Sequence, residues 1–125
     1  MSQKTASWKN IELGFVILVC LVSLMGAHYY SNVRNQVLFE KTLALKEELS
    51  ALRVGVLLYR TTTQNNPASL QTLVDESFNW GDGSRKFVDI SIKRGSGFFD
   101  PFNNPYHYNQ ASGWVRSTTK GYEFW

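Results

Sequence analysis

Few nucleophilic or metal-binding side chains are spaced for covalent chemistry. His28 and His107 are the two histidines, and neither has a serine or cysteine partner arrangement that would form a catalytic dyad. Cys20 is the single cysteine, so the sequence has neither a disulfide framework nor a cysteine-based metal site. We therefore expect a protein that is not an enzyme and that uses no metal ion or other cofactor.

The carboxylate of Glu12 is the ionisable group with the most unusual position. It stands at the edge of a stretch of 21 residues without a formal charge, which ends before Arg34. A carboxylate at the edge of an apolar stretch is costly unless water or a cation neutralises it. Three interpretations are open: Glu12 lies in a hydrated headgroup layer, it binds a cation from another chain, or it pairs with Lys9 of the same chain through helical i,i+3 spacing.

The uncharged stretch predicts a membrane-spanning helix. A helix of this length extends about 30 Å, which is the thickness of the hydrocarbon core of a bilayer. Tyr29 and Tyr30 lie at its far end, where amphipathic rings favour the headgroup region. Lys4 and Lys9 precede it, so the positive-inside rule places the amino terminus in the cytoplasm and residues 31–125 outside.

Two other interpretations of this stretch remain. It could be the core helix of a soluble protein, although only about 65 residues would then surround it. It could also be a secretory signal removed after Ala27, although the apolar run is long for a signal and ends on a weak cleavage site.

Charge is distributed unevenly along the chain. Thirteen basic and ten acidic residues give a formal charge of +3, and residues 1–60 carry all of it. Residues 61–125 are neutral overall, and their two basic dipeptides, Arg85-Lys86 and Lys93-Arg94, are expected to be a solvated, charged strand edge. We therefore do not expect nucleic acid to be a partner.

Residues 31–60 predict an amphipathic helix that continues from the apolar one. They contain no proline and a single glycine. Apolar residues recur at helical spacing along one face: Leu38, Leu45, Leu49, Leu52, Val56 and Tyr59. We expect one helix from about Lys9 to Arg60 whose second half packs against a small domain; a coiled-coil seam is the alternative.

The remaining residues predict a small α+β module. Ser69 can cap a short helix that runs to about Glu76, and a turn is expected at residues 80–83. The expected strands are residues 87–93, 106–109, 113–117 and 121–125. So short a module cannot bury a self-sufficient core, so we expect its antiparallel sheet to pack on the apolar face of the long helix.

Three separated motifs occur along the chain in a characteristic order. The first is Ile11-Glu12-Leu13 before the uncharged run, and the second is Pro67-Ala68-Ser69-Leu70-Gln71-Thr72-Leu73-Val74. The third is Asp100-Pro101-Phe102-Asn103-Asn104-Pro105-Tyr106-His107-Tyr108. They resemble the prepilin signature, the Pro-x-x-Leu-x-x-Leu stretch and the Asp-Pro-(Trp/Phe)-Gly-Asn-Pro-Tyr-x-Tyr loop of type IV pilin-like proteins. The third is the most specific, and it resembles most closely the pseudopilins of type II secretion.

The resemblance implies a structural subunit of a type II secretion pseudopilus or type IV pilus-like filament. A prepilin peptidase would cut between Ser7 and Trp8, and Glu12 would then pair with the terminal amine of a neighbouring subunit. Ile11 and Leu13 would lie in the same assembly helix. The implied partners are membrane lipid before assembly, other copies or related pilins, and an inner-membrane assembly platform. The implied divisions are a leader (residues 1–7), a transmembrane half-helix (8–30), an amphipathic half-helix (31–62) and a periplasmic or extracellular domain (63–125).

Several positions depart from the family pattern. Ser7 and Trp8 stand where the family usually has Gly and Phe around the cut. Asn103 replaces a glycine of the loop, which asparagine can do because it tolerates a positive φ. Glu123 is the only acidic residue after Asp100, so we expect no calcium site. These departures favour a minor or divergent member. A bitopic membrane sensor or scaffold and a DNA-uptake minor pilin are the alternative functions.

Overall fold

The computed structural model describes the backbone of residues 3–125 and the side chains from Glu12 onward. The chain is α+β, as expected. Its helices are α1 (Gln3–Thr63) and α2 (Leu70–Asp75), with one turn of 3₁₀-helix at Ile90–Ile92. Its strands are β1 (Ser77–Trp80), β2 (Gly83–Lys86), β3 (Tyr106–Asn109) and β4 (Trp114–Ser117). The chain divides into two compact units, residues 1–39 and residues 40–125.

The first unit is the amino-terminal part of α1. Every side chain described in it, from Glu12 to Phe39, is exposed. α1 is long and apolar enough near its start to cross a membrane, and none of that apolar window is buried within the protein. The alternative of a buried core helix is therefore wrong.

The second unit is built on residues 40–63 of α1. Leu45, Leu49, Leu52 and Val56 are at most 5% exposed, which confirms the middle of the predicted apolar face. Leu38 lies in the other unit and is 50% exposed, so the face that packs is shorter than predicted. The rest of the core is α2, the segment after β2 and the second hairpin: Leu70, Leu73, Val74, Phe87, Val88, Ile92, Tyr106 and Val115. Burying each such side chain contributes about 1.5–3 kcal/mol.

The strands form two separate antiparallel hairpins. β1 pairs with β2, and β3 pairs with β4 in a register that places Tyr106 opposite Ser117 and Asn109 opposite Trp114. Gly81 and Gly113 adopt φ of 58° and 72° in the two turns, a region that glycine enters without a steric penalty. The predicted strands 106–109 and 113–117 are thus confirmed within one residue, as is the turn at residues 80–83.

Two predicted strands are wrong. In place of a strand over residues 87–93, Phe87 and Val88 enter the core and Asp89 begins a 3₁₀ turn, in which its carboxylate accepts from the Ser91 amide at 2.7 Å. Residues 121–125 form turns, with the Tyr122 amide donating to the Thr119 carbonyl at 3.0 Å. Both segments contain alternating apolar and polar residues, as a strand would. Their hydrogen bonds, however, form within local turns and not with a neighbouring strand.

The β1–β2 hairpin was not predicted. Its strands are mostly exposed, and only Phe78 packs partly against the core. Apolar and polar residues alternate only weakly along these strands, and the turn residues Gly81 and Asp82 between them were the available signal. The predicted short helix is confirmed as α2, although the side chain of Ser69 makes no capping hydrogen bond to its backbone.

Gly55 allows α1 to approach the segment after β2. A Cβ atom at this position would overlap the Val88 side chain and lie 3.1 Å from the Phe87 carbonyl oxygen. Valine has few alternative rotamers and the carbonyl is fixed in the backbone, so neither neighbour can move away easily.

We expect Gly55→Ala to destabilise residues 40–125 by about 1–3 kcal/mol, since overpacking outweighs the gain of about 1 kcal/mol in helix propensity. Thermal unfolding of the full chain in detergent micelles, followed by near-ultraviolet circular dichroism, measures this. Ser50→Ala, at an exposed α1 position, is the control and should change stability little. Equal stability of Gly55→Ala and Ser50→Ala would contradict the packing described here.

Candidate functional site

The loop of residues 100–106 is organised by a buried carboxylate. Asp100 is fully buried, and its Oδ1 accepts from the amides of Phe102 and Asn104 at 2.9 and 3.0 Å. Its Oδ2 accepts from the hydroxyls of Ser117 and Thr119 at 2.7 and 2.5 Å. Four donors thus satisfy the buried charge, and they join the loop to the end of β4.

The backbone of the loop is a compact turn. The Asp100 amide donates to the Asn104 carbonyl at 2.7 Å, and the Asn103 amide donates to the Asp100 carbonyl at 2.8 Å. Asn103 adopts φ of 67°, the left-handed region expected from the replacement of a glycine there. Pro101 and Pro105 flank these residues, and the Pro105 carbonyl accepts from the Thr118 hydroxyl at 2.7 Å. The loop is therefore a folded structural unit.

Tyr106 connects the loop to α1 through Glu48. The Tyr106 hydroxyl donates to Glu48 Oε2 at 2.8 Å. Arg94 donates to both oxygens of the same carboxylate, at 2.9 and 2.5 Å, and also to the Phe99 carbonyl. This bidentate pair is the single ion pair among residues 12–125. Its hydrogen bond to Glu48 raises the pKa of the Arg94 guanidinium.

A second set of contacts holds the loop against α1. The rings of Phe102 and Tyr122 stack with centroids 5.3 Å apart. The ammonium group of Lys41 lies 5.7 Å from the centre of the Phe102 ring, within the range of a cation–π interaction. The hydroxyls of Thr42 and Tyr122 are hydrogen-bonded at 2.8 Å. The loop thus contacts α1 at two places, through Tyr106 at Glu48 and through Phe102 at Lys41.

The predicted assembly residues lie elsewhere, at the start of α1. Glu12 and Leu13 are exposed. Among residues 12–125 no cation pairs with Glu12. A partner for this carboxylate is therefore water, another chain or a residue before Glu12. The side chains of Ser7, Trp8 and Ile11 lie outside the described residues.

The four residues of the two basic dipeptides differ in their contacts. Lys86 donates to the Asp75 carbonyl, and Lys93 donates to Gln71 Oε1 at 2.9 Å. Arg94 is occupied by Glu48. Arg85 is the one member of the four with no hydrogen bond or ion pair among residues 12–125. Among residues 12–125, an ion pair therefore neutralises only Arg94 of these four cations, whereas Lys86 and Lys93 are oriented by uncharged oxygens and keep their charge.

Sequence reasoning missed the role of two residues of α1, Glu48 and Arg53. Arg53 donates to the Val115 carbonyl at 3.0 Å and lies over the ring of Trp114, with its guanidinium carbon 4.4 Å from the ring centre. Helical spacing was the available signal, because positions 48 and 53 flank the buried positions 45, 49, 52 and 56.

No family model, curated protein or solved structure matched the chain when it was compared with each. In the described part of the chain, no three side chains among His, Cys, Asp and Glu are placed to hold a metal ion. The geometry of α1 and of the loop is therefore the basis of the functional argument.

The hydroxyl of Tyr106 makes a contribution to stability that depends on pH. Burial, together with the hydrogen bond to Glu48, raises the pKa of this phenol well above its ordinary value of 10.0. The folded protein binds the phenolic proton more tightly than the unfolded chain does. This contribution is therefore complete below pH 10 and is lost as the pH rises toward the raised pKa.

We expect Tyr106→Phe to lose about 1.5–3 kcal/mol of stability at neutral pH, since a hydrogen bond to a charged carboxylate disappears. Above pH 10 the variant should lose stability less steeply than the original chain. Some decline should persist, because burial also raises the pKa of Tyr59 and Tyr108. Denaturation in detergent micelles at neutral and alkaline pH measures both effects.

Tyr29→Phe is the matched control, because Tyr29 is 73% exposed and lies in the other unit. It should leave the stability of residues 40–125 unchanged at either pH. If the stability of Tyr106→Phe fell as steeply as that of the original chain above pH 10, a group other than Tyr106 would control the alkaline loss of stability.

Proposed function

We propose that this protein is a structural subunit of a filament of the type II secretion pseudopilus or type IV pilus kind. Its apolar half-helix is held in the inner membrane before assembly and packs among other copies or related pilins afterwards. Residues 40–125 are the folded module outside the membrane, and the amino terminus is in the cytoplasm. The observation that supports this most is that no side chain of the apolar stretch after the carboxylate of Glu12 is buried within the protein.

The exposed apolar surface requires an apolar environment. Large apolar side chains between Leu13 and Met25 are 47–73% exposed. They surround the helix, so a single soluble partner domain could not cover them. Lipid covers such a helix while it spans the bilayer, and a bundle of like helices covers it in a filament.

Glu12 distinguishes an assembly helix from a simple anchor. An anchor needs about 20 apolar residues and no carboxylate at its edge. A carboxylate and an ammonium group in a low dielectric are each costly alone and are tolerated as a pair. Pairing between Glu12 of one copy and the terminal amine of the next would also fix the stagger between subunits.

The resemblance of the loop adds to this argument. Asp100 and Tyr106, at the two ends of the motif, are the residues that attach it to β4 and to α1. The loop therefore fixes residues 40–125 at one position on their own helix. A subunit that repeats regularly along a filament needs such a fixed position.

We expect Glu12→Ala to insert into the membrane normally but to reduce the sheared-filament fraction about tenfold or more. The physical reason is that removing one member of a buried ion pair costs about 3–5 kcal/mol. Membrane fractionation measures insertion, and the protein content of sheared filaments or the secreted cargo measures assembly.

Ser23→Ala is the matched control for this experiment. The Ser23 hydroxyl donates its proton to the Val19 carbonyl of the same helix at 2.8 Å, and its replacement changes a small, uncharged side chain of the same apolar stretch. Assembly of Glu12→Ala at the level of Ser23→Ala would refute the assembly role and leave a bitopic sensor or scaffold.

We also expect the membrane-bound protein to consist of residues 8–125, because a prepilin peptidase would remove the leader at Ser7. Intact-mass measurement of the protein extracted from membranes tests this. Ser7→Gly restores the usual family residue and should increase the processed fraction. A full-length mass, or a mass that begins after Ala27, would contradict processing of the prepilin type; the latter would indicate an ordinary secretory signal.

A further inference from the structure

An open cleft lies on the outer face of the β3–β4 hairpin, apart from the loop of residues 100–106. Its volume is about 510 Å³, within the range of about 300–1,000 Å³ that is typical of ligand sites. Its lining combines the aromatic rings of Trp114 and Phe124 with polar and charged side chains. The lining residues are His107, Asn109, Ser112, Trp114, Arg116, Glu123 and Phe124.

Trp114 provides a fixed aromatic surface in this cleft. Its side chain is 55% exposed although the guanidinium of Arg53 lies over its ring. Arg53 is itself held by the Val115 carbonyl at 3.0 Å and by the main-chain oxygen of Trp125. The ring is thus held in place on one side while much of its surface stays open, which lowers the entropy cost of binding against it.

The strand register places polar groups beside this ring. His107 is directly opposite Arg116, and Asn109 is directly opposite Trp114. All four lie on the exposed face of the hairpin, because Tyr106, Val115 and Ser117 face the core. Within residues 12–125 the side chains of His107 and Arg116 have no hydrogen-bond partner, so their donors are available to a ligand.

The other polar groups are oriented by the protein and keep unused capacity. Asn109 Oδ1 accepts from the Ser112 amide at 3.1 Å, which leaves the side-chain amide free to donate. Ser112 Oγ accepts from the Trp114 amide at 3.3 Å, which leaves its hydroxyl proton. Glu123 Oε2 accepts from the Gly121 amide at 2.7 Å, which leaves the other carboxylate oxygen. The cleft therefore offers both donors and acceptors.

The charge of the cleft favours a neutral ligand. Arg116 and Glu123 carry opposite charges on the same site. A site for single-stranded nucleic acid combines aromatic stacking with a net positive groove, and the carboxylate of Glu123 opposes this. Hydroxyl groups, which both donate and accept, match such a mixed set of protein groups.

We propose that this cleft binds a neutral glycan chain. One pyranose ring lies flat against Trp114, and its hydroxyl groups bond to the amide of Asn109, the guanidinium of Arg116 and the carboxylate of Glu123. The site belongs to residues 40–125 and does not depend on the assembly of the apolar helix.

The test is titration calorimetry of the full chain in a detergent without a sugar headgroup. The probes are tetrasaccharides of β-linked glucose, α-linked glucose and β-linked N-acetylglucosamine, with single-stranded oligothymidylate for comparison. We expect at least one tetrasaccharide to bind. Trp114→Ala should weaken it about tenfold or more, as is typical of an aromatic anchor.

Matched variants separate loss of the site from loss of the fold. Arg116→Ala and His107→Ala remove groups without an internal partner and should weaken binding with an unchanged unfolding temperature. Trp80→Ala and Arg85→Ala remove an exposed tryptophan and an exposed arginine outside the cleft and should leave binding unchanged.

Three results would overturn the proposal. The first is that none of the three tetrasaccharides binds at millimolar concentration. The second is that binding is unaffected by both Arg116→Ala and His107→Ala. The third is that oligothymidylate binds more tightly than every tetrasaccharide, which would identify the cleft as a nucleic-acid site.

Discussion

Residues 40–125 depend on the burial of one face of α1. Leu45, Leu49 and Leu52 are at most 2% exposed, and they contact a module that lacks sufficient apolar residues to form a core of its own. Two short hairpins and one short helix have no common sheet to hold them together. The helix face supplies a shared core surface for α2, the segment after β2 and the β3–β4 hairpin, whereas the β1–β2 hairpin reaches this core only through Phe78. Removal of that face would leave several separate hairpins and turns.

The polar contacts refine this arrangement. Glu48 accepts from Arg94 and Tyr106, which lie 46 and 58 positions further along the chain. Asp100 collects donors from its own loop and from the end of β4. Each carboxylate is buried or nearly so, and each is satisfied by several donors, which is the condition for tolerating a buried charge. These two acids therefore determine where the loop lies on the helix.

Elements with a strong repeating pattern were predictable, whereas long-range polar pairs were not. The 3–4 spacing of leucines in α1 and the absence of charge before Arg34 identified the helix and its apolar half. The segment Gln110-Ala111-Ser112 between two short strand candidates likewise located the β3–β4 turn. The strand expected at residues 87–93 failed because the same alternation suits a chain that enters the core at Phe87 and turns at Asp89. The pairing of Glu48 with Arg94 has no sequence signal, since it depends on the folded position of a distant loop.

Within the candidate site, the motif of residues 100–106 was located from the sequence, and the positive φ of Asn103 was expected from it. The role of Asp100 as an acceptor for four donors came only from the structure. Glu12 is the reverse case: its position at the edge of the apolar run is visible in the sequence, and the structure shows no cation paired with it among residues 12–125.

Arg53 has a consequence for how neighbouring molecules meet. A two-stranded sheet leaves backbone groups unpaired along its outer edges, and such edges attract strands from other molecules. Along β4, the carbonyl of Val115 is already occupied by the Arg53 guanidinium, whose positive charge stands at the edge itself. The arginine therefore occupies one acceptor that an incoming strand would need, and its charge opposes strand pairing at this point of the edge.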